Sequence, residues 1–189
     1  LSPFKTIVID TAGKMLDFMS AYIIKNDPKL GQRDGSLSLK GYGVRKTMFI
    51  NFLSQCSMMG KNLIFVAHER EEKDGENRIV RPEIGGSSAG DLIKELDLVG
   101  YMQAIGSERT ISWSPTEKFY AKNTCNLPPM QKIPIIIDAS GNVTGHNIFL
   151  SSIFDSYQAY LKKQADISND YEALIDVVKE NVELIVDAD

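Results

Sequence analysis

The sequence predicts an α/β fold organised on parallel strands, and three observations predict it. Two short apolar runs, Thr6-Ile7-Val8-Ile9-Asp10-Thr11 and Leu63-Ile64-Phe65-Val66-Ala67-His68-Glu69, are rich in β-branched residues and continuous rather than alternating. That pattern suits strands of a parallel sheet buried on both faces. The segment between the runs is long enough for a crossover helix, and such crossovers are right-handed. Each run ends in polar residues, so Asp10 and His68 emerge together at the carboxyl ends of strands, the edge where open α/β sheets place ligands.

Composition bounds the remaining choices. The 189 residues fit one domain, or one domain and an appendage, and a hydrophobic content of 43% is enough to bury a core. A net charge of −4 supplies no global basic field for nucleic acid or acidic membranes, so any contact with DNA is local or belongs to an assembly. Cys56 and Cys125 have no paired spacing, and His68 and His146 stand far apart. A disulfide framework and a zinc site are both disfavoured, which makes a reducing cytoplasm the natural compartment. No apolar run approaches the ~20 residues of a membrane span, and the amino terminus lacks a signal-peptide layout.

Between the two strands, Met15, Leu16, Met19, Tyr22 and Ile23 recur at helical spacing until Asn26-Asp27-Pro28 breaks the pattern. Leu30 to Gly43, punctuated by glycines, reads as a loop, locally basic through Lys29, Arg33, Lys40, Arg45 and Lys46. From Val44 a second helix sets Phe49, Phe52, Leu53, Cys56 and Met59 on one face, with Gly60 as its stop. Cys56 reads as a small core residue.

After the second strand, Arg70 to Asn77 forms a charged turn centred on Asp74-Gly75, followed by a short strand, Arg78 to Pro82. Gly85 to Gly90 is a small-residue link into a helix at Asp91 to Leu96. Leu98 to Ala104, Thr110 to Trp113 and Lys118 to Ala121 read as a meander, with Ser114-Pro115-Thr116 as a turn. Ile133-Pro134-Ile135-Ile136-Ile137-Asp138 is an edge strand because of Pro134, and Asp138 is expected to cap the turn that follows. Residues 150–189 carry two helical stripes, one through Leu150, Ile153, Tyr157 and Leu161, the other through Tyr171, Leu174, Val178 and Val182. Ser168-Asn169-Asp170 between them has capping-box spacing with Glu172, so a helical hairpin is expected on a core of residues 1–149.

Ile7-Val8-Ile9-Asp10-Thr11 resembles a Walker B strand, and Asn62 to Glu69 is similar to the following strand of RecA-like P-loop ATPases. The Ala67-His68-Glu69 ending, Arg81-Pro82-Glu83-Ile84-Gly85-Gly86, Asp97 to Tyr101 and Phe119-Tyr120-Ala121-Lys122-Asn123 ahead of Leu127-Pro128 follow in the order shown by one class of these proteins. That class is the phage nucleotide-binding and single-strand annealing recombination ATPases, with an AAA-type ATP-binding domain. The resemblance spans roughly Phe4 to Pro129. It implies ATP and Mg²⁺ as cofactors, with Asp10 holding the metal through water, Thr11 supporting it, and His68 or Glu69 sensing the γ-phosphate. It also implies that Lys122 acts across a subunit interface, in a homo-oligomer able to bind single-stranded DNA. Related phage proteins commonly show Lys-Asn-Arg where this chain has Lys122-Asn123-Thr124, and only arginine offers a planar bidentate fork.

One part of that machinery is missing. A phosphate loop needs a glycine-rich turn ending in Gly-Lys-Ser/Thr at a helix start. The nearest stretch, Gly41-Tyr42-Gly43-Val44-Arg45-Lys46-Thr47, has no glycine before its Lys-Thr and follows no apolar strand. The expectation is therefore the carboxyl-terminal portion of a longer ATPase, inactive or nearly so by itself. The rival is a non-catalytic, RecA-shaped interaction or single-strand-binding module.

Overall fold

A computed structural model describes residues 3–75, 77–85 and 88–186. They divide into two compact units, Leu1–Val99 with Pro115–Tyr120, and Gly100–Ser114 with Ala121–Asp189.

The first unit begins with strand β1 (Thr6–Asp10), helix α1 (Ala12–Asn26), a single 3-10 turn (Pro28–Leu30), helix α2 (Leu39–Met58) and strand β2 (Asn62–Val66). β1 and β2 pair in parallel from Thr6 opposite Asn62 to Asp10 opposite Val66. The parallel core is this two-stranded ladder, smaller than the mainly parallel sheet expected. Its two faces also differ. Leu63 and Phe65 pack on a core of Ala12, Leu16, Phe49, Leu53, Ile84 and Leu92, whereas Val8 on the opposite pleat is 57% exposed and Val66 41%. A continuous apolar run thus marks a strand without showing that both faces are covered.

α2 starts five residues before the expected Val44. Ser38 is its N-cap, its Oγ accepting from the Gly41 N–H at 3.2 Å. Gly41 belongs in that first turn because a Cβ there would lie 2.5 Å from the Leu30 carbonyl oxygen and 2.9 Å from Leu37. The glycines that suggested a loop instead permit close approach. Downstream, Arg45, Phe49, Leu53 and Cys56 repeat at helical spacing and are buried. Phe49 meets Phe65 edge-on, with ring centroids 6.3 Å apart. α2 ends at Met58, and Gly60 follows with a φ of 61°, the left-handed conformation expected of a helix stop.

Arg45 is buried, and among the described residues its partners are neutral. It donates to Ser20 Oγ at 3.1 Å and to the Gly85 carbonyl at 3.3 Å, with its guanidinium 4.9 Å from the Tyr42 ring centroid. One side chain thereby ties α1, α2 and the segment after residue 82 together.

Strands β3 (Glu69–Asp74) and β4 (Asn77–Pro82) form an antiparallel hairpin that turns at Gly75, where φ is 63°. Its surface carries ion pairs of Glu72 with Arg70 and Arg81, and of Glu71 with Arg78. Helix α3 (Ser88–Glu95) starts three residues earlier than expected, and a two-residue strand, β5 (Leu98–Val99), follows it. Gly86 and Ser87 of the small-residue link lie outside the described residues. Lys118 to Tyr120, expected in the meander, instead lies along β4. The Val80 N–H donates to the Lys118 carbonyl at 2.7 Å, and the Tyr120 N–H to the Val80 carbonyl at 3.2 Å.

In the second unit, β6 (Tyr101–Ile105), β7 (Glu108–Ser112), β8 (Lys122–Asn123) and β9 (Met130–Ile133) precede helix α4 (Phe149–Val186). β6, β7 and β9 form an antiparallel sheet in that order, so β9 takes the place expected of Lys118 to Ala121. Pro134 ends β9, and the expected edge strand shrinks to an isolated Ile137–Val143 bridge. Asp138 closes this loop, its Oδ1 accepting from the Ser140 and Asn142 N–H groups at 2.9 Å each. The expected helical hairpin is corrected to one unbroken helix of 38 residues that passes through Ser168-Asn169-Asp170. All three side chains sit exposed along it, where a capping-type residue needs no turn. No helix among the described residues is long and apolar enough to cross a membrane.

Two measurements follow from these contacts. Arg45→Ala is expected to destabilise the chain by about 2–4 kcal/mol in denaturant unfolding, because it removes the charged hydrogen bonds to Ser20 and Gly85 and the packing of a buried side chain. Arg45→Lys is expected to recover little, since an ammonium lacks the fork that bridges both acceptors. Hydrogen bonds from Asn142 hold the Asp138 carboxyl below its ordinary value. The stabilisation of this loop is therefore present above the ordinary aspartate pKa and lost as pH falls through the lowered one. Amide chemical shifts of Ser140 and Asn142, followed by NMR, should titrate together below the usual aspartate range.

Candidate functional site

Thr6 to Asp10 form a strand because β-branched residues suit a pleated surface, and the parallel register then carries Asp10 level with Val66. Two residues beyond, the chain leaves β2 through half-buried Ala67, exposed His68 and exposed Glu69, the first residue of β3. Asp10, Thr11, His68 and Glu69 thus belong to the same carboxyl rim of the parallel pair.

The rim is held by backbone contacts that no periodicity reveals. The Asp10–Thr11 peptide is cis, and Thr11 is the N-cap of α1, its Oγ1 accepting from the Lys14 N–H at 3.3 Å. Gly13 in the first turn of α1 approaches the Glu83 carbonyl so closely that a Cβ would lie 3.1 Å from its oxygen. The Glu83 N–H in turn donates to the His68 carbonyl at 2.7 Å. Glu83 therefore joins the turn after Asp10 to the turn carrying His68. Glu83 and Gly13 were missed by sequence reasoning. The available signal was a small residue in a helix's first turn, which marks close packing.

Beside the rim, Val8, Asp10, Thr11, Lys14, Phe18 and Tyr22 line an open groove of about 570 Å³. Tyr22, on the periodic stripe of α1, stands 59% exposed there. Asp10 is an exposed carboxylate at a strand end, which suits Mg²⁺. That ion keeps several waters and needs one or two protein carboxylates when phosphates complete its shell. Among the described residues no cluster of three or more His, Cys, Asp or Glu is arranged as an all-protein metal cage. The imidazole of His68 and the carboxylate of Glu69 bring hydrogen-bonding groups to the same rim.

The phosphate-loop look-alike has no cradle. Its glycines lie within the first five residues of α2, where the Gly41 N–H is bonded to Ser38 Oγ and the Tyr42 N–H to the Ser38 carbonyl. Lys122 lies half-buried in β8 of the second unit. Its neighbour Asn123 is structural, its side chain accepting from the Leu127 N–H at 2.9 Å and donating to the Leu127 carbonyl at 2.8 Å.

A family model described as an AAA domain matches residues 1–125. The chain belongs to this AAA domain family. The match takes in Asp10, Thr11, His68, Glu69 and Lys122, and it stops before β9 and α4. No curated protein and no solved structure matches the chain. An AAA-type domain is ATPase-like and nucleotide-binding, and ATP with Mg²⁺ is the general ligand of the family.

Thr11 occupies the rim and the cap at once, and the two roles separate by substitution. Thr11→Ala is expected to cost about 1 kcal/mol of stability through the lost cap, and Thr11→Ser to cost little, as read by urea unfolding.

Proposed function

We propose that this AAA domain supplies the Walker B side of a nucleotide site in an ATPase of DNA recombination or single-strand annealing, of the phage RecA-like type. The observation that carries the reading is the parallel pairing that delivers Asp10 and the His68-Glu69 turn to one rim within the AAA match. Asp10 holds Mg²⁺ through water, Thr11 supports it from the helix start, and His68 and Glu69 report whether a γ-phosphate is present. The two ends of that report are physically connected. A displacement of the His68 turn is felt at Glu83, and through Glu83 at Gly13 beside the metal side of the rim. Lys122 acts as a point charge on a neighbouring subunit's phosphates in a homo-oligomer, and single-stranded DNA is the partner.

Hydrolysis by this chain is slow in this reading, because phosphoryl transfer relies on a positioned phosphate cradle. The glycines and lysine nearest in pattern to such a cradle are committed to α2, and that placement favours a second reading, a non-catalytic module of the same shape.

Calorimetric titration with Mg²⁺-ATP tests the first. The nucleotide-site reading expects Mg²⁺-dependent binding that weakens by about tenfold or more in Asp10→Ala, a loss of roughly 1.4 kcal/mol or greater. Equal binding by both proteins removes Asp10 from the site. No binding by the parent chain removes support for a nucleotide site in this chain, and is expected both of the non-catalytic module and of an ATPase portion without its phosphate cradle.

A further inference from the structure

Helix α4 runs for 38 residues, about 57 Å at the standard rise, and from Leu161 to Val182 its side chains are exposed apart from half-buried Ile175. Apolar residues nevertheless continue along it in a seven-residue repeat. Tyr157, Tyr171 and Val178 share one position of the heptad with Gln164. Tyr160, Ile167 and Leu174 share the other seam position with Asn181. The position opposite the seam is polar throughout, at Lys162, Asn169 and Asp176. Tyr171 is 64% exposed and Leu174 60%, so the seam is open. A seven-residue repeat that is mainly apolar along the seam, with a polar outer face, is the pattern of a helix that pairs with another helix in a left-handed supercoil.

We propose that α4 pairs with α4 of a second copy of this chain, antiparallel, as a two-stranded coiled coil centred between Glu172 and Ala173. Three observations bear on this pairing: charge and the helix dipole select the orientation, and the seam sets the register. The first is charge. Asp170, Glu172, Asp176, Glu180 and Glu183 make the second half of the helix acidic against one base, Lys179, whereas the first half balances Asp155 and Asp166 with Lys162 and Lys163. Side by side in parallel, the two acidic halves repel. Antiparallel in the register below, residues 176–183 of each helix, net acidic, run alongside residues 162–169 of the other, net basic. The second is the seam itself. In antiparallel pairing the two seam positions face each other. The register that sets Gln164 against Asn181 of the second copy also sets Tyr171 against Leu174 and Val178 against Ile167. Polar meets polar and apolar meets apolar in each of these layers, and a polar seam pair specifies register. The third is the helix dipole, since antiparallel neighbours place opposite partial charges together at each end.

This pairing does not rest on the nucleotide reading, and its test contains no nucleotide. Sedimentation equilibrium on the full chain at tens of micromolar is expected to give twice the 21.0 kDa monomer mass. The double variant Leu174→Glu, Val178→Glu is expected to halve that mass while circular dichroism shows the helix content retained. Asn169→Glu, on the outer face, is expected to leave the mass at twice the monomer. Orientation is read by oxidative cross-linking. A chain carrying Ile167→Cys is expected to cross-link to one carrying Val178→Cys and not to itself, with the native Cys56 and Cys125 buried and out of reach. A monomeric parent chain, a dimer indifferent to the glutamates at 174 and 178, or cross-linking of the Ile167→Cys chain to a second copy of itself would each overturn the proposal.

Discussion

The parallel pairing of β1 with β2 runs from Thr6 and Asn62 to Asp10 and Val66, and parallel strands cannot be joined by a tight turn. The chain must travel from the end of one strand back to the start of the other, and α1 and α2 make that journey. Their packing then supplies the core, with Leu16 from α1 and Phe49 and Leu53 from α2 buried against Leu63 and Phe65 of β2. Because both strands point the same way, both release their following turns at one rim. Asp10 and the turn carrying His68 therefore leave the ladder at the same end, although they are far apart in the chain.

Around that ladder, close approach matters more than bulk. Gly41 lets the start of α2 sit against the Leu30 carbonyl, and Gly13 lets the start of α1 sit against the Glu83 carbonyl. Arg45 crosses the interior to bond Ser20 and Gly85. A buried guanidinium with neutral partners is costly to desolvate and persists only where its hydrogen bonds are well met. The burial of Arg45 therefore holds the turn after β4 near α1, and the Glu83 N–H in that turn holds the His68 carbonyl. Stability and the geometry of the rim depend on the same few contacts.

The second unit is governed by local rules. Its sheet is antiparallel and sequential apart from the excursion to β4, and Gly100 sits where a side chain would strike Ile111 and Trp113. The Asp138 loop is closed by its own carboxylate, which accepts from Ser140 and Asn142 within the loop. α4 is the opposite case. Its apolar repeat is satisfied in sequence but not within the helix that carries it, and that mismatch between pattern and burial points outward to another helix.

Local chemistry determined a good deal by itself. The β-branched runs at Ile7 to Ile9 and Leu63 to Val66 form strands, Asp10 ends the first and His68 follows the second, Gly75 turns a hairpin, and Gly60 follows the end of α2. Each depends on residues adjacent in the chain, and periodicity and turn chemistry report those directly. Tertiary structure decided the rest. Ser38 and the space beside Leu30 moved the start of α2 ahead of its glycines, and β9 rather than Lys118 to Ala121 completed the antiparallel sheet. Ser168-Asn169-Asp170 stayed helical because an exposed face tolerates polar residues that elsewhere would cap. Apart from the Ser38 cap, the deciding partner in these cases is distant in sequence or is solvent, and a local pattern carries no record of either.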